Sequence, residues 1–146
     1  RVEDIIEPVR IGRKAGLGIT VHTGEVTPPE EIRQVVKLLA PDRIGHGIRS
    51  VRDPKLLDHL AKARIVLEVC PMSNIQTSAV KNWEEMGKII DTLKRHSVLF
   101  TINSDGPELL GTTVAEEFET LIEKGILTDD DASACTRVAK EATFIR

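Results

Sequence analysis

Apolar residues along this chain follow two alternating periods. Val2, Ile5, Ile6 and Val9 recur at helical spacing until the glycines at 12 and 16, which predicts a helix already under way at Arg1. Leu17 to Val21 then forms a short continuous run rich in β-branched residues, the pattern of a strand buried on both faces. Pro28-Pro29-Glu30-Glu31 starts a second helix, with proline in its first turn and acids near the positive end of its dipole. Ile32, Val35, Val36 and Leu39 give that helix its inner face. The alternation repeats as a strand over 43–48, a helix from Asp53-Pro54 with Leu56, Leu57, Leu60 and Ala61 inward, and a strand over 65–69. A polar exit loop at 70–74 leads to a helix around Trp83, Met86, Ile89, Ile90 and Leu93, and then to a strand over 98–102. Thr113-Val114-Ala115-Glu116 reads as a capping box ahead of Phe118, Leu121 and Ile122, with Gly125 as the stop. A last helix is capped at Thr128 to Asp131, with Ala132, Cys135, Val138, Ala139 and Ala142 as its stripe.

Four strand-helix units without a hairpin signal predict an α/β protein with a parallel sheet. His22, His46 and Cys70 are evenly spaced, at the length of one βα unit, so equivalent strand ends return to the same side. Four units make half of an eight-stranded barrel or part of an open doubly wound sheet. No phosphate-binding glycine loop follows the first strand, which disfavours the dinucleotide-binding version.

Composition removes several function classes. Among 146 residues, 20 Lys and Arg face 23 Asp and Glu, for a net charge of -3. There is no basic surplus to attract nucleic acid or an anionic membrane. Aromatics make up 3% of the chain and Tyr is absent, so platforms for stacking single-stranded bases are not expected. No apolar run approaches the roughly 20 residues that span a bilayer, and no signal-peptide core is present. The two cysteines, Cys70 and Cys135, suit neither a disulfide framework nor a structural zinc site. A cytoplasmic protein acting on a small molecule is the expectation.

The strand exits carry the candidate chemistry. His22 and Glu25 follow the first strand, His46 the second, Ser73 and Asn74 the third, and Asp105 the fourth. Imidazole and carboxylate are usual zinc ligands, and a catalytic zinc keeps a position open for water. His22 and Asp105 are candidate ligands, Glu25 a proton carrier, and His46, flanked by glycines rather than bulky neighbours, a group that could orient or deprotonate the water. Each has a plainer reading. Asp105 could cap the turn into Pro107, and Glu25 could be an ordinary acid ahead of a helix. Ser73 and Asn74 could bond within their own loop, Cys70 reads as core, and His59 and His96 read as surface residues.

His22-Thr23-Gly24-Glu25, Arg43-Ile44-Gly45-His46-Gly47, Glu68-Val69-Cys70-Pro71-Met72-Ser73-Asn74 and Asn103-Ser104-Asp105-Gly106-Pro107 resemble, in order and spacing, the motifs of the adenosine deaminase family. That family consists of metal-dependent (β/α)8 barrels of the amidohydrolase superfamily, and the resemblance runs over essentially the whole chain. It implies that His22 is a zinc ligand, Glu25 the proton donor to purine N1, His46 the residue that orients and activates the water, and Asp105 a zinc ligand that also contacts that water. Attack at C6 would expel ammonia, converting adenosine to inosine.

Two departures bear on this. The family's other zinc ligands form a His-x-His pair on the first barrel strand, and this sequence has no such pair. Residues 1–146 therefore resemble the C-terminal half of the barrel, strands five to eight, and are expected to be inactive alone and to self-associate or need the N-terminal half. Gly106 stands where well-known adenosine deaminases carry a second Asp that bonds the purine imidazole ring, which leaves another 6-aminopurine open as substrate. The rival readings are the same half-barrel in another metal hydrolase and a non-catalytic, self-associating barrel fragment.

Overall fold

A computed structural model describes residues 1–145. Its centre is a four-stranded sheet, β1 (Thr20–Thr23), β2 (Arg43–His46), β3 (Val66–Val69) and β4 (Phe100–Ile102), in which each strand pairs in parallel with the next. The connecting helices are α1 (Ile6–Lys14), preceded by a short 3-10 turn, then α2 (Pro29–Leu39), α3 (Pro54–Ala63), α4 (Pro71–Gln76), α5 (Trp83–Arg95), α6 (Pro107–Leu110), α7 (Val114–Glu123) and α8 (Asp129–Ala142).

The sheet has two unlike faces because side chains alternate along each strand. Ile44, Leu67, Val69, Phe100 and Ile102 join Ile32, Leu56, Leu57, Leu60, Ile90 and Leu93 from the helices in one buried cluster. Each fully buried Leu or Ile contributes about 1.5–3 kcal/mol, so this face carries the stability. The alternate positions are mostly polar, Val66 excepted, and there the Arg43 guanidinium lies 3.2 Å from Glu68 while the Thr20 hydroxyl donates to Glu68 at 2.8 Å. The alternation follows from a sheet with helices on one side and a barrel lumen on the other.

Helix starts follow the sequence signals. Asp53 accepts from Leu56 N at 3.1 Å and Asn82 from Glu85 N at 3.0 Å, while Thr113–Glu116 and Thr128–Asp131 form reciprocal capping boxes.

Several boundaries differ from expectation. The run over 17–21 only overlaps β1, because pairing with β2 begins at Thr20 opposite Arg43, and Leu17 is left 60% exposed. β2 stops at His46, and Ile48–Arg52 forms a 3-10 turn, because the backbone turns left-handed at His46 and Gly47. The expected exit loop at 70–74 is helical from Pro71, whose fixed φ opens α4, and Asn74 N bonds Cys70 O at 2.9 Å. Pro107 likewise opens α6 rather than an irregular turn. Of the stripe expected on α8, Cys135 is buried and Ala139 is exposed. In α1, Ile6 and Ile11 remain exposed, so its helical period does not mark a buried face here.

Gly24, in the turn after β1, has φ of 71°, and a Cβ there would lie 2.4 Å from Ile32 Cδ1. Gly111 has φ of 64° with open space around it. Gly24→Ala adds core overpacking to left-handed strain and is expected to destabilise the protein by about 2–4 kcal/mol, whereas Gly111→Ala carries the strain alone, about 1–2 kcal/mol. Urea unfolding of both variants checks the order; equal losses would contradict it.

Candidate functional site

Parallel register brings the strand exits together. His22 pairs with Gly45 and Thr23 with His46, so the two imidazoles emerge side by side with ring centroids 4.5 Å apart. Gly24 turns the chain back, and Glu25 Oε2 comes within 3.6 Å of His22 Nε2 and 3.8 Å of His46 Nε2. Ligand atoms from His22, Glu25 and His46 all lie within 4.8 Å of one another, the only such group among the described residues.

α4 fixes this cluster from beneath. Asn74, fully buried, places its amide nitrogen 3.2 Å from Glu25 Oε1 and 2.9 Å from His46 Nδ1. A carboxylate needs a donor, so the nitrogen is the end that faces Glu25, and His46 Nδ1 must then accept. The ring proton accordingly sits on Nε2, the atom facing Glu25. Asn74 Oδ1 is left buried without a partner. Thr77 donates its hydroxyl to the same Glu25 oxygen at 2.9 Å, so Oε1 is engaged twice and Oε2 stays turned toward the imidazoles. Arg49 clamps the loop from the other side, donating to Glu25 O at 3.1 Å and Ala79 O at 2.9 Å.

Asp105 stands outside the three-residue group. Its Oδ2 accepts from the Ser73 hydroxyl at 2.7 Å. Asp105 and His46 both hold left-handed backbone, φ of 62° and 63°, which costs a non-glycine residue about 1–2 kcal/mol. Such strain, overridden by the surrounding fold, collects at functional sites.

A cleft of about 420 Å³ joins these parts, lined by His22, His46, Glu68, Asn103 and Asp105 among others. A larger cavity of about 940 Å³ lies at the opposite ends of the strands, beside Arg43, Val66 and Leu99, and holds none of this cluster. The smaller cleft has the chemistry.

His46 is 2% exposed rather than open, and burial pushes its pKa below the usual imidazole value against the attraction of Glu25. The ring is therefore neutral near pH 7. Glu117, on α7, is 1% exposed, and burial raises it to about 7 although Met72 N donates to both its oxygens at 3.2 Å.

The structure thus unites His22, Glu25 and His46, has Asp105 lining the same cleft as the two imidazoles, and has Gly106 leading into α6 with nothing nearer than 3.8 Å to a Cβ built on it. Two plainer readings are corrected. Ser73 and Asn74 bond Asp105, Glu25 and His46 rather than only their own loop, because α4 brings both within hydrogen-bond reach of them. Asp105 makes no cap hydrogen bond to α6. Cys70 is buried with its thiol pushed up, as core, and His59 is exposed. His96 is half-buried and reaches Asp58 at 2.9 Å. Asn74's bridge, Thr77, Arg49 and Glu117 were not legible as site residues. Glu117 alone had a trace in the sequence, a charge four positions before Leu121 and hence on its buried face.

Fold and cleft together define a class: a parallel half-barrel with imidazoles and carboxylates gathered at the C-terminal ends of its strands. The sequence matches the family model described as "Adenosine deaminase" over residues 3–146, and the chain belongs to that family. It is 39% identical over 145 residues to an adenine deaminase of Rhizobium rhizogenes, covering 99% of this chain and 44% of that protein. It is also 39% identical over 133 residues to an adenosine deaminase of Yersinia pseudotuberculosis, covering 91% of this chain and 39% of that one. An amidohydrolase of Burkholderia ambifaria, solved with bound Zn, superimposes with a TM-score of 0.87 at 22% identity, over 99% of this chain and 40% of that one. The chain thus spans under half the length of these relatives, and four parallel strands with flanking helices are the matching part of the barrel. No described helix is long and apolar enough to cross a membrane.

Glu117 generates a pH prediction. Its folded pKa lies above the unfolded value, so its contribution is fully present below about pH 4.5 and is lost as pH rises through about 7. The swing is on the order of 3 kcal/mol. Glu117→Gln is expected to flatten the stability profile between those limits; an unchanged slope in urea melts across that range would contradict the assignment.

Proposed function

We propose that residues 1–146 supply strands five to eight of a barrel hydrolase that replaces the 6-amino group of an adenine ring with oxygen, converting adenosine to inosine and ammonia. The observation that carries this reading is the Glu25 carboxylate, tied through Oε1 to Asn74 and Thr77 and left with Oε2 between two imidazoles. That is the geometry of a proton carrier whose position is set by its other oxygen.

The donor set fits zinc, since His22 and Asp105 line one cleft and offer an imidazole nitrogen and a carboxylate oxygen, and the Burkholderia protein of similar fold was solved with bound Zn. His22 and Asp105 would hold the ion together with ligands from the missing half. When bound, zinc supplies Lewis-acid activation of water near neutral pH. The residues of this chain do the rest. His46, neutral and carrying its proton on Nε2, donates to the attacking oxygen and aligns it with C6; Asp105, its other oxygen held by Ser73, accepts the water's proton. Glu25 delivers a proton to ring N1, the proton held by Asp105 passes to the amino nitrogen, which leaves as ammonia, and the proton of the new C6 hydroxyl returns to Glu25 as the 6-oxo product forms.

Free adenine is the second reading, favoured by the Rhizobium relative and by Gly106. Ammonia release from adenosine and from adenine, assayed with the full-length protein, decides between them.

Glu25→Gln in that protein is expected to keep its zinc while turnover falls at least about 100-fold, the lower end of general acid catalysis. Loss of zinc along with activity would reassign Glu25 as a ligand. His22→Ala and Asp105→Ala are expected to lose zinc and activity together, and unchanged metal stoichiometry in both would sink the ligand assignment.

The isolated chain exposes β1 and β4 as unpaired edges and is expected to be catalytically silent and to self-associate. Sedimentation with an adenosine assay tests this: a monomer that deaminates adenosine would overturn the half-site reading.

A further inference from the structure

Glu117 takes no part in the chemistry above, yet it is among the least exposed charged side chains of the chain. Both of its oxygens accept the N–H of Met72, the second residue of α4. α4 has only six residues, too short to hold its own position, and its N-cap residue Cys70 makes no side-chain cap bond. Serine or asparagine at the cap would satisfy the same N–H locally, without taking a carboxylate out of water. Stability alone does not account for a glutamate reaching in from α7.

What α4 carries does account for it. The residue after Met72 is Ser73, which donates to Asp105; next is Asn74, which touches His46 and Glu25; one turn on is Thr77, which donates to Glu25. Three of the four proposed site residues thus take their orientation from one short helix. That helix is held at its first turn by Glu117, and at its far end by the Gln76 side chain, which donates to Leu110 O at 3.2 Å. Met72, Ser73 and Asn74 are consecutive, so a displacement of Met72 passes directly into the hydrogen bonds at Asp105 and His46.

We propose that Glu117 is a positioning residue of the site: by holding Met72 it sets where α4 presents Ser73, Asn74 and Thr77 to Asp105, His46 and Glu25. The proposal rests on the deaminase reading for its kinetic consequences, and on the geometry alone for its structural ones. Leucine at 117 keeps similar bulk and removes the acceptor, whereas glutamine keeps one acceptor oxygen. A precisely held constellation loses rate when its supporting contacts loosen by a fraction of an ångström.

The experiment compares the full-length protein with Glu117→Leu, Glu117→Gln and Glu117→Asp. Kinetics on adenosine and adenine, zinc content and the ¹⁵N signals of the His46 ring are measured. Expected for Glu117→Leu is a kcat at least about tenfold lower, with KM within about threefold, zinc retained and the His46 signals displaced. Glu117→Gln is expected to stay within about threefold of the parent, with the His46 signals in place. Should Glu117→Leu not fold, Glu117→Asp carries the test: its shorter side chain draws Met72 toward α7 and displaces the same signals. A folded Glu117→Leu with parental kcat and unmoved His46 signals would overturn the proposal, as would an Asp variant indistinguishable from the parent. A parent that releases no ammonia from either substrate would overturn the deaminase reading, and the His46 signals of the variants would still decide the role of Glu117.

Discussion

The parallel hydrogen-bonded register between β1 and β2 is the constraint on which the site depends. It pairs Thr23 with His46 and His22 with Gly45, so two imidazoles from distant parts of the sequence leave the sheet side by side. A one-residue slip would exchange the two faces and send one ring into the helix layer. Ile44, on β2, is fully buried in one cluster with residues of α2, α3 and α5, and a one-residue shift of β2 would turn it toward the polar face. The apolar side of the sheet therefore enforces the geometry of the polar side, although the two share no side chain.

Backbone conformation sharpens what register begins. His46 closes β2 and Asp105 lies three residues past the end of β4, and both redirect the chain through left-handed backbone. Gly47 N bonds Thr23 O at 2.9 Å and Asn103 N bonds Val69 O at 2.9 Å, so the strained residues sit beside secured backbone. The strain is distributed over a rigid frame rather than left to a loop.

The elements with strong periodicity were legible: four strands, the helices from Pro29, Asp53, Asn82, Thr113 and Thr128, and the recurrence that put His22 and His46 on one side. Strand ends were less so, because apolarity reports burial while a strand is defined by pairing, and Leu17 shows the two diverging. α4 escaped because Pro71 followed by serine and asparagine reads as a turn unless the neighbouring elements are known. Glu25 and Asp105 were visible as residue types at strand exits. Ser73 and Asn74 were visible at the third strand exit, but what they hold, and the parts of Thr77 and Glu117, became visible only when α4 and α7 were placed in space, since hydrogen bonds spanning 28 to 52 positions leave no local pattern. The tautomer of His46 belongs with these, since only the Asn74 amide, placed 2.9 Å from Nδ1, assigns the ring proton to Nε2.

At the end of the sheet away from the cleft, the chain after α8 runs back beneath the strands. The Phe144 ring lies 3.9 Å from the Arg43 guanidinium and fills the space beside Gly18, where even a methyl group would not fit. The last described residues are thereby fastened to the approach of the first strand, and Arg43, held by Glu68 as well, links them to the middle of the sheet. The contacts of Phe144 with Gly18 and Arg43 tie the segment after α8 to the entrance of β1 and the start of β2, and none of these three residues belongs to the His22, Glu25 and His46 cluster.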